Sequence, residues 1–335
     1  MTIEVIKPGA LTTVQDLGRC GFQHLGVPVG GAMDERSNRV ANLLVGNPEG
    51  EATLEITLVG PSLTFGEAAL IAIAGANLSP RIGKYALPHE TPVLLRAGSQ
   101  LDFGHRFAGV RAYLAVHGGF AVPAIMRSKS TYARGKFGGF QGRALRKGDT
   151  LELVPANAER VYAGLAAKLR ANTLPFAAFE DQAAVPKASL DSSETTVRAI
   201  AGQQWQAFTT QAQQHFEQAE FRLMPQSDRM GLRLEGPRLA LREPLQMISE
   251  AVAFGTIQVP PDGNPIVLMA DRQTTGGYPK IASVASVDLP TFAQWMPGQG
   301  VRFRLISLEE AQQLYLERER TMANFAAQGK RLRWS

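Results

Sequence analysis

The stretch ATLEITLVGPSLTFGEAALIAIAG, residues 52–75, decides the fold. It holds two short runs, ATLEITLV (52–59) and ALIAIAG (69–75), both rich in strand-favouring residues, partly alternating, and bounded by Gly and Pro. Runs of that length and punctuation read as strands rather than helices. TPVLLRAG (91–98), VRAYLAVHGG (110–119) and DTLELVP (149–155) repeat the pattern. Closely spaced short strands point to barrels or sandwiches, not to a sheet built from βαβ units.

After residue 155 the character changes. Residues 157–195 are Ala-rich, then Pro- and Ser-bearing, and show no strand signal before TVRAIAG (196–202). They read as the tail of one domain plus a connector. A second strand-rich block then echoes the first: VGPSLTF (59–65) returns as EGPRLAL (235–241), and AGSQLDFG (97–104) as PGQGVRFR (297–304). Similar block length and strand density favour two related all-β modules in tandem. The expected division is 1–195, 196–306, and a C-terminal helix and tail over 307–335. Three helices interrupt the strands. Residues 34–45 have Asp34 as N-cap and Gly46 as stop; 204–218 are a weaker candidate; Ser307 and Glu310 form a capping box that opens the last helix.

Composition sets outer limits. With 335 residues and 44% hydrophobic positions the chain can build two cores. No run approaches the roughly 18 uncharged apolar residues of a membrane helix. The start MTIEVIKPGALTTVQDLG lacks the order of a signal peptide, so a cytoplasmic location is expected, with no membrane partner. A single cysteine, Cys20, excludes an intrachain disulfide framework. The net charge of +5 is scattered apart from RSKSTYARGK (127–136) and KRLRW (330–334). It forms no stripe with interleaved aromatics, so nucleic acid is not an expected partner. The 127–136 cluster suits an anionic small molecule, a partner protein or a solvated loop equally.

Missing motifs narrow the chemistry. Gly135-Lys136 has Ser130 where a phosphate loop needs its first glycine. There is no G-x-S-x-G elbow and no G-x-G-x-x-G after a strand. The five histidines include no H-x-x-x-H pair, so no metal site is expected. An A-M-K-M biotin-attachment sequence is also missing. What remains is dense polar stretches. Residues 13–42 carry Gln15, Asp16, Arg19, Asp34, Asn38 and Asn42 among glycines; 225–237 carry Ser227, Asp228 and Arg229; 248–265 place Glu250 and Gln258 on apolar segments. DRQTTGGYPKIA (271–282) crowds its polar groups between two apolar runs. Buried groups of this kind need partners, since an unpaired one costs about 1–3 kcal/mol. They either brace the barrels or converge on a ligand.

Four stretches, LGVPVGGAMDERSNRVANLLVGNPEGEATLEITLVGPSLTF, YLAVHGGF, SDRMGLRLEGP and ISEAVAFGTIQVPPDGNPIVLMADRQTTGGYPKIASV, resemble the KipA family, also called allophanate hydrolase subunit 2 or the biotin-dependent carboxyltransferase family. The resemblance runs from about residue 3 to about 306. It implies a mainly β fold of two tandem cyclophilin-like β-barrels with a few peripheral helices. It also implies partners: a KipI-type B component and, in 5-oxoprolinases, a LamB/YcsF-type A component, the assembly opening the lactam of 5-oxoproline with ATP. ATP would then be used through the partners, and no cofactor is expected to be bound covalently here. Carboxyl transfer from biotin to urea or another amide is the alternative activity, and antagonism of a KipI-type kinase inhibitor is a third, non-enzymatic reading.

Opening a lactam needs donors aimed at the carbonyl oxygen, each worth roughly 2.7–4 kcal/mol. On that chemistry Asp271, Arg272 and Lys280 are the catalytic candidates: Asp271 accepts from the amide nitrogen, and the two cations hold a carboxylate or phosphate. Gln273, Thr274, Thr275, Gly276, Gly277 and Tyr278 are expected to line the substrate, with Asp228, Arg229, Glu250 and Gln258 beside them. The competing reading is that Asp271-Arg272 is a structural ion pair, Gly276-Gly277 a hairpin turn, and Asp228-Arg229 the order of another turn.

Overall fold

A computed structural model of the chain describes residues 1–156, 162–179, 185 and 196–333. It divides into two compact units. Unit 1 comprises Met1–Gly18, Asp34–Leu190 and Thr321–Ser335; unit 2 comprises Arg19–Met33 and Asp191–Arg320. Residues 19–33, which the linear division puts in the first domain, thus lie with the second.

Unit 1 has two six-stranded antiparallel sheets around one core. The first runs Thr150–Glu152, Thr2–Lys7, Ser62–Phe65, Gln100–Asp102, Arg81–Ile82, Tyr85–Ala86. The second runs Phe176–Ala178, Val93–Leu95, Ala69–Asn77, Ala108–Val116, Thr53–Thr57, Leu11–Gln15. Because side chains alternate along a strand, Leu54, Ile56 and Leu114 of the second sheet meet Ile3, Leu63 and Phe65 of the first inside. Thr53, Glu55 and Tyr113 turn the other way and are still buried, on the face of the sheet where the helix Glu35–Val45 packs. That layer is polar. Tyr113 donates to Glu55 Oε2 at 2.8 Å and accepts from the Asp34 amide at 2.8 Å, while Thr53 reaches Asn38 Oδ1 at 2.8 Å. Asp34 in turn caps the helix through the Ser37 amide. Gly75 lets the helix and the neighbouring strand approach: a Cβ there would lie 3.2 Å from Ser37 Cβ and Oγ and 2.5 Å from the Arg111 carbonyl.

The basic loop at 127–136 is an internal brace. Ser128 Oγ and the Lys129 amide clamp the buried Asp16 carboxylate at 2.7 and 2.6 Å, and Lys129 pairs with Glu51 at 2.6 Å. Two further elements differ from the sequence reading. Ala163–Ala171 is a helix that buries Leu165 and Leu169, and Phe176–Ala178 pairs with Val93–Leu95. The sequence reading marks neither element, although an Ala-rich stretch is itself helix-forming, and a three-residue strand leaves no period to see. The rest of 157–195, apart from 162–179 and 185, lies outside the described residues.

Unit 2 contains a closed seven-stranded barrel: Thr196–Ala201, Lys280–Val284, Thr256–Gln258, Ile266–Leu268, Gly231–Glu235, Phe221–Leu223, Gly300–Leu305, then back to the first. All pairings are antiparallel except the closing one, which is parallel. The mainly β architecture and the two strand-built modules bear out the reading of the opening stretch. Phe216 stacks on Phe303 at 4.6 Å in the core. The weaker helix breaks in two, a turn at Trp205–Ala207 and a helix at Thr210–Gln218, because Phe208 is buried and Thr209 serves as the cap. The last helix spans Leu308–Arg333, and Ser307 Oγ accepts from the Glu310 amide at 3.1 Å. The Gly-Pro echo has a shared cause. A Cβ on Gly60 would strike Phe103 at 2.3 Å and one on Gly236 would strike Phe221 at 2.5 Å, so each glycine lies under a phenyl ring.

Burial first, then the Glu55 and Asp34 charges, push the Tyr113 hydroxyl well above its ordinary range. The folded state therefore favours the protonated phenol. Its contribution is full below the unfolded value, about 10, and is lost as pH rises from there toward the folded value. Tyr113→Phe is expected to cost about 1–3 kcal/mol near neutral pH through two lost hydrogen bonds, and to flatten the decline above about pH 10. Urea denaturation across pH measures both.

Candidate functional site

The segment 271–282 joins the strand Ile266–Leu268 to the strand Lys280–Val284, so the barrel fixes both of its ends. Its polar residues fall into two charge centres within unit 2.

At the first, Asp271 is buried and Arg229 grips it with both edges, Nε to Oδ2 at 2.8 Å and Nη2 to Oδ1 at 3.0 Å. The same Nη2 donates to the Gly31 carbonyl at 2.6 Å, and the Asp271 amide donates to the Arg229 carbonyl at 2.8 Å. Gly30 donates to the Ala270 carbonyl at 3.2 Å. Its φ is +65°, and a Cβ there would come 3.3 Å from Arg19 Nη1 and 3.7 Å from Asp271 Oδ1. The segment 19–33 is thus held against the carboxylate by backbone contacts that need glycine. Asp271 is an ion-pair member, as the competing reading has it, but its partner is Arg229 rather than Arg272.

Arg272 lies elsewhere. It donates from Nη1 to the Met269 carbonyl at 3.3 Å and stacks over Phe254 at 5.6 Å. Burial pushes its guanidinium below the ordinary arginine range, opposed by Cys20 and Asp271. Asp228 also departs from its neighbour: its Oδ1 accepts from the amides of Met230 and Gly231 at 2.8 and 3.2 Å, an exposed turn that orders the strand start. That position is a brace, not part of the cluster.

The second centre is Lys280. The residue is buried on a barrel strand, and its ammonium reaches three acceptors: Glu250 Oε2 at 2.6 Å, Gln203 Oε1 at 3.3 Å and the Ala251 carbonyl at 3.3 Å. An ammonium has three donors, so this one is saturated. Glu250 sits in a two-stranded ribbon, Glu250–Ala251 against Thr275–Gly276, in register with Gly276. Gln258 stands opposite Lys280 in the ladder and donates to the Tyr278 carbonyl at 3.4 Å. A Cβ on Gly276 would lie 2.4 Å from Gln258 Nε2, so the first glycine of the pair serves packing. Beside this centre a set of polar groups is unspent. Among the described residues the side chains of Gln273, Thr274, Thr275 and Tyr278 make no hydrogen bond, and neither does the Gly277 amide. Thr275, Gly277 and Tyr278 are exposed.

Sequence reasoning missed Gln203 and Gln204. The latter accepts from the Lys280 amide at 3.1 Å. Gln204 opens the stretch read as weak helix, Gln203 lies just before it, and no motif marks either. Gln15, open in the sequence reading, is buried in unit 1 on Thr13 and the Thr131 carbonyl as a brace.

The family described as carboxyltransferase domain, subdomain A and B, matches residues 25–305. The chain belongs to that family. It is 35% identical over 317 residues to the C component of the 5-oxoprolinase of Haemophilus influenzae, covering 95% of each chain. It is 36% identical to the C component of the Escherichia coli 5-oxoprolinase, covering 94% of this chain and 96% of the other. The urea amidolyase of Lachancea kluyveri is 33% identical, but the match spans only 17% of its length. Among solved structures, the Kluyveromyces lactis urea carboxylase superposes with a TM-score of 0.85 at 31% identity, over 97% of this chain and 29% of that one.

The ion pairs separate braced positions from those whose side chains make no internal hydrogen bond. Asp271→Asn leaves Arg229 without its counter-charge, and breaking a buried pair in this way costs about 3–5 kcal/mol. Thr275→Val and Tyr278→Phe touch no internal bond and are expected to stay within about 0.5 kcal/mol of the parent. Thermal and urea unfolding of the three variants checks this; a mild Asp271→Asn would overturn its role as a clamp.

Proposed function

We propose that the chain is the C-type component of an ATP-dependent 5-oxoprolinase, acting with a KipI-type B component and a LamB/YcsF-type A component in the cytoplasm and inactive alone. The observation that carries this reading is the near-complete mutual coverage with two C components of 5-oxoprolinases, 95% of each chain for the first. The urea amidolyase match, by contrast, is a small part of a larger protein.

The geometry adds roles. Lactam opening builds negative charge on the carbonyl oxygen and leaves the ring nitrogen needing a proton partner. The Gly277 amide and the Thr275 and Tyr278 hydroxyls supply uncommitted donors around the exposed edge of the Lys280 centre. Lys280 positions the Glu250 ribbon, which carries Thr275 and leads into Gly277 and Tyr278, and contributes charge when a substrate carboxylate displaces Glu250, whose side chain is 46% exposed. Arg272 and Asp271 hold the start of the segment. ATP is used through the partner proteins in this reading.

Carboxyl transfer to an amide is the second reading, favoured by the family match and by the superposition on urea carboxylase. There biotin would be carried by another protein. The test mixes this chain with the purified KipI-type and LamB/YcsF-type partners and follows glutamate release from 5-oxoproline with and without ATP. The first reading expects ATP-dependent release that Lys280→Met lowers at least about tenfold, with unfolding changed by only about 1 kcal/mol because Glu250 is half exposed. Release that ignores ATP, or no release from a folded mixture, overturns it.

A further inference from the structure

The turn Gly202-Gln203-Gln204, which follows the barrel strand Thr196–Ala201, is spent on Lys280. Gln204 accepts from the Lys280 amide through its side chain at 3.1 Å and donates its own amide to the Lys280 carbonyl at 3.3 Å. The Gly202 amide donates to the Ile281 carbonyl at 2.8 Å. A Cβ on Gly202 would lie 2.3 Å from the Lys280 carbonyl oxygen, so only glycine lets the turn close this far. Gln203, between the two, accepts from Lys280 Nζ at 3.3 Å. The main chain and the ammonium of one lysine are thus fixed by one three-residue turn.

The acceptors around that ammonium are of two kinds. Gln203 and the Ala251 carbonyl are neutral dipoles, and Glu250 brings the charge. Glu250 is attached through Oε2 alone, and among the described residues its Oε1 meets no donor. Asp271, by contrast, is gripped by both oxygens. A carboxylate held by one oxygen at an exposed rim exchanges readily with a carboxylate from solution, since either offers the ammonium the same charge-assisted bond. Gln203 and Ala251 stay in place during such an exchange. They keep Nζ aimed and add no second negative charge to compete with the newcomer.

We infer that the Lys280 centre is the subsite for a free carboxylate on the substrate, that Glu250 holds the place of that carboxylate until it arrives, and that Gln203 is the positioning residue that keeps the ammonium aimed while the two exchange. The inference rests on the oxoprolinase reading above and narrows the substrate class to lactams and amides that carry a carboxylate. A neutral amide such as urea brings nothing to exchange with Glu250.

The experiment moves the carboxylate from the rim to the turn. Gln203→Glu combined with Glu250→Gln keeps one carboxylate on the ammonium but hangs it from the anchored turn. Calorimetry measures binding of 5-oxoproline, and of the same lactam without its carboxylate, pyrrolidinone, to the full chain alone and assembled with both partners; turnover with ATP is followed beside it. Glu250→Gln alone is expected to bind 5-oxoproline at least about threefold tighter than the parent, and the double variant at least about tenfold weaker than Glu250→Gln. Gln203→Leu, which adds no charge, weakens binding about threefold and raises KM more than it lowers kcat. Pyrrolidinone binding stays at the parent's level in every variant. Gln203 and Glu250 are both exposed, so unfolding of the variants should match the parent. A double variant that binds 5-oxoproline like Glu250→Gln, or a parent that binds it no tighter than pyrrolidinone in either state, overturns the carboxylate subsite; ATP-dependent turnover by the parent then leaves the oxoprolinase reading standing. A parent assembly that binds 5-oxoproline in the expected pattern without turning it over overturns the oxoprolinase reading and leaves the subsite.

Discussion

The fork of Arg229 on Asp271 holds together three segments that are far apart along the chain. One guanidinium closes on the carboxylate at the start of the signature segment and on the carbonyl of Gly31, 198 residues earlier. Withdrawing two charges from water is costly, and the geometry must be nearly complete to offset it. Here it is: both carboxylate oxygens are engaged, the main chains of Arg229 and Asp271 are bonded to each other, and Gly30 seals the edge. The position of the whole polar segment follows from that joint.

The two charge centres then differ in kind. The Asp271 centre is closed: both carboxylate oxygens are engaged internally, and a side chain at Gly30 would crowd Arg19 at 3.3 Å. The Lys280 centre is half open, because its main counter-ion sits on a short ribbon and remains partly in water. Short ribbons of two residues a strand carry little stability of their own. A site built this way has a rigid floor on a barrel strand and a yielding rim, an arrangement suited to a substrate that competes for the floor's charge.

Much of the fold was legible because strands announce themselves by alternation and punctuation. Residues 52–75 hold three strands, two of them close to the bounds read from their pattern, and the Asp34 and Ser307 caps fell where side-chain chemistry puts them. Elements without period were missed: Phe176–Ala178 is too short to alternate, and Ala163–Ala171 has propensity but little amphipathy. In the candidate site, residue types marked a segment whose Asp271 and Lys280 the structure shows to be paired internally, since charges between apolar runs must be paired or used. Partner choice was not legible. Arg229 lies 42 residues from Asp271 and Arg272 lies next to it, yet Arg272 turns to the Met269 carbonyl and Phe254 while the barrel brings the distant arginine across. Gln203 and Gln204 carry no mark at all, because an amide acquires meaning only from what the fold sets before it.

The parallel seam between Thr196–Ala201 and Gly300–Leu305 imposes an order on biosynthesis. The strand that shuts the barrel is the last of its strands to be translated, so the first must wait with an unpaired edge while about a hundred residues follow at roughly 5–20 per second. Residues 19–33 wait longer still, for an arginine that emerges far downstream. A nascent chain of this design holds two unfinished surfaces until the seam strand has left the ribosome, and slowing translation between residues 200 and 300 would lengthen its exposure to chaperones and to wrong pairings.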